Sequence, residues 1–409
     1  MLMQSTVIKG LLASAKYYLG LIVLLAIGVL ASPHDADGGN IFMSGSNLSD
    51  VFRQVSNIGI ISIGMTLVII AGGIDLSVGS IMSLGSVLTA MLLTQAGWTG
   101  ASSFGLAASV PVAGLLFWVA VRFFHSKTAT TATNEGRDAS DPKLVLAVIA
   151  ALVAGLGLAI AIAVELPGKL PLGLVLLVVP LAGCAMGMLN GWIITRGRMQ
   201  PFIVTLASMV AITGATRLIS GQDTAVHAIY SGTNATTDIE ALRALLFGIV
   251  PVPALFFLGT ALIFGFVLSR TVFGKYLYAI GGNEKCARLS GLRVDRHKIA
   301  TYAISGLLSA LVGVLFAAQF RQGKSDAGLG WELDAIAAVV IGGTTLMGGA
   351  GRISGTIAGV LIFGFLGNIL MLNNIDSNTQ LLLKGIIIIV AVFLQQTPLS
   401  RFGLTRKPG

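Results

Sequence analysis

The chain has 409 residues, of which 55% are hydrophobic and only 11% charged, and its mean hydropathy is +0.89. A water-soluble domain carries roughly a quarter of charged residues, so a soluble enzyme or soluble binding module is excluded. The formal net charge of +9 is explained by the sidedness of Lys and Arg described below, and calls for no nucleic acid.

Apolar blocks of about 20 residues recur along the chain, the length that crosses a bilayer core at about 1.5 Å per residue. In chain order they predict helices over 15–31, 51–71, 76–95, 103–124, 144–165 and 171–193. The second half adds 200–219, 252–270, 299–319, 333–347, 353–372 and 379–396. The predicted fold is all-α, a polytopic transmembrane helical bundle of about twelve spans forming one domain over 1–409. Lys9 and Lys16 precede an apolar run ending at Ala31, as in a secretion signal, but the spans that follow favour a retained first helix. With a cytoplasmic N-terminus, nineteen of the 26 Lys and Arg residues fall inside and seven outside. That asymmetry matches the positive-inside rule and places both termini in the cytoplasm.

Catalytic chemistry is sparse. His34, His125, His227 and His297 are scattered without metal-ligand spacing. No HExxH and no GxSxG occur. Gly323-Lys324-Ser325 resembles the end of a phosphate-binding loop, but the position needing its first glycine holds Ala318. No catalytic residue, metal site or cofactor is therefore predicted. Cys184 and Cys286 suggest no disulfide framework, and the sequons at Asn47 and Asn234 are short enough to arise by chance.

Glycines carry architectural information. Gly183, Gly187 and Gly191 share one helix face, as do Gly355 and Gly359, and such faces let helices pack closely in lipid. Gly72-Gly73 followed by Gly79-Ser80-Ile81 is echoed by Gly348-Gly349 followed by Gly355-Thr356-Ile357, a hint of repeated halves. Pro201 suits the first turn of its helix. Asp75, between two apolar spans, reads either as a carboxylate on a hydrated path or as a helix cap, and the two are compatible. Asp334 has the same ambiguity, with the cap favoured. Ser77, Asn190 and Thr205 likewise place polar groups in or beside spans and join Asp75 as candidate path residues.

The densest polar stretch, 270–298, holds seven Lys and Arg residues, and 284–290 reads as a short helix stopped at Gly291. It is either an ordinary interfacial loop or a docking surface for a cytosolic partner; physical argument alone favours the loop. Its residues Phe273, Gly274, Tyr278, Ala279, Gly281, Gly282, Asn283, Glu284, Arg288, Leu289, Ser290, Gly291 and Val294 resemble the cytoplasmic coupling loop of bacterial ABC sugar importer permeases of the ribose, xylose and galactose type. Lys275 and Lys285-Cys286 depart from that pattern. Three further stretches resemble the same family in the same order: Gly64 to Ile69 with Gly72 to Ser80, Pro201 to Leu206, and Glu332 to Thr344.

The resemblance implies the membrane-spanning subunit of an ATP-driven, binding-protein-dependent importer in the bacterial inner membrane. Its implied partners are a second permease subunit (a homodimer mate or a close paralogue), a cytosolic ABC ATPase dimer that binds the ATP, and an extracytoplasmic sugar-binding protein. It makes Phe273, Gly274, Gly281, Gly282, Asn283, Glu284, Arg288 and Gly291 coupling residues. Gly72, Gly73, Gly79, Pro201, Asp334, Gly342 and Gly343 are structural signature positions. Family members have about ten spans, so 103–165 reads as an inserted helical pair joined by a cytoplasmic linker, 125–143. An ion-coupled secondary transporter is the rival reading, and a nucleoside, a furanose signal or an amino acid are alternative cargoes. An intramembrane enzyme is disfavoured by the missing catalytic constellations.

Overall fold

The structure, a computed structural model, describes residues 18–94, 170–221 and 226–396. The predicted helices 103–124 and 144–165 and the linker 125–143 lie outside the described residues. The helices are α1 (Tyr18–Leu30), α2 (Gly45–Ile70), α3 (Val78–Thr94), α4 (Leu172–Arg196) and α5 (Pro201–Ser220). After them come α6 (Val252–Arg270), α7 (Val272–Gly282), α8 (Glu284–Leu289), α9 (Val294–Phe320), α10 (Trp331–Ile341), α11 (Ile353–Leu372) and α12 (Ser377–Gln396). A 3-10 helix (Thr237–Arg243) and two small antiparallel pairs complete the described elements: β1 (Val226–Ala228) with β4 (Gln322–Lys324), and β2 (Leu245–Leu246) with β3 (Val250–Pro251). Six of the described helices, α2, α4, α5, α6, α9 and α11, are long and apolar enough to cross a membrane.

The chain divides into two compact units. The first comprises described residues up to Leu76, then Arg243–Thr301 and Gly330 onward. Its centre is α2, buried along most of its length and packed by α6, α10 and α11. Phe42, Val51 and Val55 meet Ala338, Val360, Phe365 and Ile369 in its core. Polar pairs tie α2 to α11 at two levels. Asn47 and Asn368 exchange side-chain amide hydrogen bonds of 3.1 and 2.7 Å, and the hydroxyls of Thr66 and Thr356 lie 2.7 Å apart, buried. Interhelical hydrogen bonds of this kind supply association where lipid offers no hydrophobic drive.

The second unit, Ser77–Leu242 with Tyr302–Leu329, is centred on α3, packed by α4, α5 and β4. A side chain at Gly183, Gly187 or Gly306 would overlap the facing backbone, so α4 and α9 meet backbone to backbone. Ser83 accepts from the Gly328 amide at 2.8 Å, and Ser86 donates to the Lys324 carbonyl at 3.0 Å. Arg321 pairs with Glu240 at 2.8 Å. The Asp238 carboxylate receives the otherwise unpaired Leu172 amide at the start of α4, 2.6 Å away.

Helix ends explain where sequence reading slipped. The predicted helix 333–347 stops at Ile341 because Gly343 adopts φ +85° and closes the end. The Thr344 amide reaches back to Val339 at 3.2 Å and the Gly343 amide to Val340 at 2.8 Å, the paired bonds of a Schellman motif. The end of α2 is built alike: Gly72 has φ +77°, Gly73 bonds back to Val68 and Gly72 to Ile69, both at 2.9 Å. Geometry thus pairs Gly72 with Gly343, whereas the sequence echo pairs it with Gly348. Gly79 and Gly355 do occupy the first turns of the following helices, α3 and α11.

Candidate coupling surface and helix-break network

Thr271 ends α6 and caps α7, its hydroxyl accepting from the Gly274 amide at 3.4 Å. Helix α7 buries Leu277 and Ile280 on its inner face. Asn283 ends α7 and caps α8, accepting from the Cys286 amide at 3.0 Å. Gly291, at φ +83°, closes α8, with Leu292 bonding back to Ala287 at 3.1 Å.

Charge then locks the turn. Arg288 reaches Asp295 at 2.8 Å and Glu284 at 3.2 Å, while Lys298 reaches the other Glu284 oxygen at 2.6 Å. Burial pushes the Glu284 carboxyl up, but Lys298 and then Arg288 outweigh it and hold it below the ordinary glutamate range. The hydrogen bond to Asp295 is the leading cause that raises the Arg288 guanidinium. Phe273 stacks on His297, ring centroids 5.8 Å apart, and Tyr276 meets the same imidazole edge-on at 5.1 Å. Lys285, Arg288, Arg293 and Arg296 are exposed, as is Leu289, which is 88% exposed. The result is an exposed, mainly cationic stretch that also exposes one large apolar residue, Leu289.

The inner end of α7 sits on two helix breaks. A Cβ at Gly281 would overlap the Ile70 carbonyl oxygen at the end of α2. The Gly349 amide donates to that same oxygen at 2.9 Å, and the Tyr278 hydroxyl donates to the Gly351 carbonyl at 2.8 Å. One at Gly348 would lie 2.9 Å from the Gly72 Cα. Sequence reading marked Gly72 in a repeated glycine pattern, while Gly281, Gly282 and Tyr278 entered as family matches. The apolar residues Phe273, Leu277 and Ile280 at helical spacing are the signal that predicts α7 as a helix.

The candidate path residues Asp75, Ser77, Asn190 and Thr205 are all fully buried. Asn190 donates its amide to Ser77 at 2.9 Å and accepts from Ser208 at 2.6 Å. Thus α4 ties the residue preceding α3 to α5. Thr205 donates to the Pro201 carbonyl at 3.0 Å, one turn back, and Pro201 is the first residue of α5, as its sequence position predicts. Ser208, three residues past Thr205, completes the network and escaped sequence reading. Asp334 lies in the first turn of α10 and pairs with Lys384 of α12 at 2.9 Å. Lys384 also stands over the Phe363 ring, 5.2 Å from its centroid.

Apolar helices long enough to cross a membrane, closed at glycines and carrying buried polar side chains, define a multi-pass membrane protein. The family model described as branched-chain amino acid transport system / permease component matches residues 47–392, and the chain belongs to that family. It is 36% identical over 387 residues to the ribose import permease protein RbsC of Bacillus subtilis (strain 168), covering 95% of this chain and 94% of that one. Identity to the ribose import permease protein RbsC of Escherichia coli (strain K12) is 33%, covering 94% of each chain. Identity to the xylose transport system permease protein XylH of the same strain is 33%, covering 88% and 87%. No solved structure matches the chain. Membership makes the chain a transport component and not an enzyme.

Proposed function

We propose that this chain is the membrane-spanning permease of an ATP-driven importer for a monosaccharide of the pentose class, fed by an extracytoplasmic binding protein. The observation that carries this reading is the seat of α7–α8. An exposed, mainly cationic surface that includes Leu289 is joined, through Gly281 and Tyr278, to the breaks after α2 and after α10. A partner that pulls on such a surface moves helix breaks directly. The chain holds no phosphate-binding loop, so ATP belongs to a cytosolic ATPase dimer docked on α8. A second permease subunit completes the assembly, and both termini face the cytoplasm together with α7–α8, following the Lys and Arg asymmetry.

Asp75, Ser77, Asn190 and Thr205 are the proposed path residues, each of them buried. Sugar hydroxyls replace hydrogen bonds such as Asn190 to Ser77 when the path opens. The pairing of Asp334 with Lys384 occupies one of the two carboxylates, with Asp75, that the ion-coupled alternative could use. Co-purification of the ATPase with Glu284→Lys and Arg288→Glu variants tests the docking assignment. Reduced association with intact permease is expected, and unchanged association contradicts it.

A further inference from the structure

Residues 244–251 lead into the membrane-crossing helix α6 without a single polar side chain, reading Ala-Leu-Leu-Phe-Gly-Ile-Val-Pro. No Asp, Glu, Lys or Arg occurs from 244 to 269. Within this stretch β2 and β3 form a hairpin, Leu245 opposite Pro251 and Leu246 opposite Val250. The Ile249 amide bonds to the Leu246 carbonyl at 3.2 Å and the Val252 amide to the Ala244 carbonyl at 3.1 Å. At the tip stand Phe247 at φ +53° and Gly248 at φ +75°.

The three-residue loop 247–249 contains a turn closed by the Ile249 amide on the Leu246 carbonyl. A turn with both central residues at positive φ favours Asn-Gly, and a bulky aromatic in the first position is a steric outlier. Phe247 holds that place with its side chain 95% exposed, flanked by exposed Leu245 and Ile249. Turn chemistry therefore does not explain the residue, and core packing does not either. What it faces is set by continuity. The hairpin runs without a break into α6, a membrane-crossing helix whose Leu255, Leu258, Leu262, Ile263 and Phe266 are also exposed. A docking patch for a water-soluble protein carries a polar rim, whereas the run from 244 to 269 carries no charged side chain. Backbone groups bonded within the hairpin are what a lipid environment requires.

We infer that the 244–251 hairpin is a lipid anchor, with Phe247 inserted at the bilayer interface on the face opposite α7–α8. Aromatic side chains concentrate at that level. The consequence is mechanical. Helix α6 has 19 residues, a rise of about 28 Å against a hydrocarbon core of about 30 Å, and Thr271 alone separates it from α7. An anchor at one end of so short a strut sets the depth of the coupling surface at the other. The inference needs only the membrane location of the chain and is independent of its cargo and energy source.

The test is a nitroxide label at Phe247→Cys in full-length chain carrying Cys184→Ala and Cys286→Ser, reconstituted in phosphatidylethanolamine–phosphatidylglycerol vesicles. Collisions with oxygen and with a water-soluble nickel chelate are compared with those of a label at Leu258→Cys on α6. Oxygen access exceeding nickel access, as at Leu258, is the expected result. Nickel access in excess places Phe247 in water and overturns the inference; low access to both means that another protein covers it and overturns it equally. Phe247→Trp gives a second reading. Bilayers of brominated lipid should quench its fluorescence beyond that of the wild type, and equal quenching overturns the anchor.

Discussion

The hydroxyl of Tyr278 donates a 2.8 Å hydrogen bond to the carbonyl of Gly351, tying the helix that leads into the charged α8 turn to the loop between α10 and α11. Replacing it in Tyr278→Phe deletes one hydrogen bond, worth about 1 kcal/mol, and leaves the ring in place. Co-purification with the ATPase should persist while sugar moved per ATP hydrolysed falls several-fold. Equal loss of uptake and ATPase binding would assign Tyr278 a folding role alone.

Neighbouring glycines give a sharper contrast. A methyl at Gly281 collides with the Ile70 carbonyl, whereas one at Gly282 meets nothing within 4 Å. Gly281→Ala should cost about 1–3 kcal/mol as overpacking and abolish uptake. Gly282→Ala should be close to wild type. Thermal unfolding in detergent and uptake in vesicles read both.

The Glu284 carboxyl, held low by Lys298 and Arg288 against the opposing effect of burial, gives the α8 turn a pH dependence of defined sign. Because its folded-state value lies below the unfolded one, its contribution is complete above the ordinary glutamate range. It is lost as pH falls through the depressed value. The protection of the 284–292 amides, with the intrinsic pH dependence of exchange divided out, should therefore fall on acidification in the wild type. In Glu284→Gln that fall should shrink; an identical pH profile would mean that Glu284 does not hold the turn.

Lys384 balances Asp334 in an apolar setting. Lys384→Met leaves the partly buried Asp334 carboxylate without its cation, a loss smaller than the roughly 3–5 kcal/mol of a fully buried pair. The double variant Lys384→Met/Asp334→Leu should recover most of that loss. Thermal unfolding of the three variants decides it, and additive losses would deny the pairing.

Much of the fold was legible because apolar blocks and glycine ends are local signals. The helix predicted at 252–270 has those bounds in the structure, and 353–372 likewise. Helix α2 starts at Gly45 and not at 51 because Ser44 caps it through the Asn47 amide at 3.2 Å, so its polar first turn resembled a loop. Gly291 closing α8 was readable, since a glycine after a short charged run leaves few alternatives. The Lys384–Asp334 pair and the β1–β4 ladder were not readable, because their members lie far apart in sequence and no local pattern links them. Asn190 was marked as a polar group in an apolar span; its partners Ser77 and Ser208 came only with the packing of α4 against its neighbours.

Uptake into vesicles tests the central claim most directly. The chain is reconstituted with the ATPase encoded beside it, ATP is enclosed on the α8 side, and labelled ribose and xylose are offered with and without the neighbouring sugar-binding protein. The account predicts accumulation that requires both ATP and the binding protein and is lost in Gly281→Ala. Accumulation that ignores ATP and collapses when the proton or sodium gradient is dissipated would contradict it.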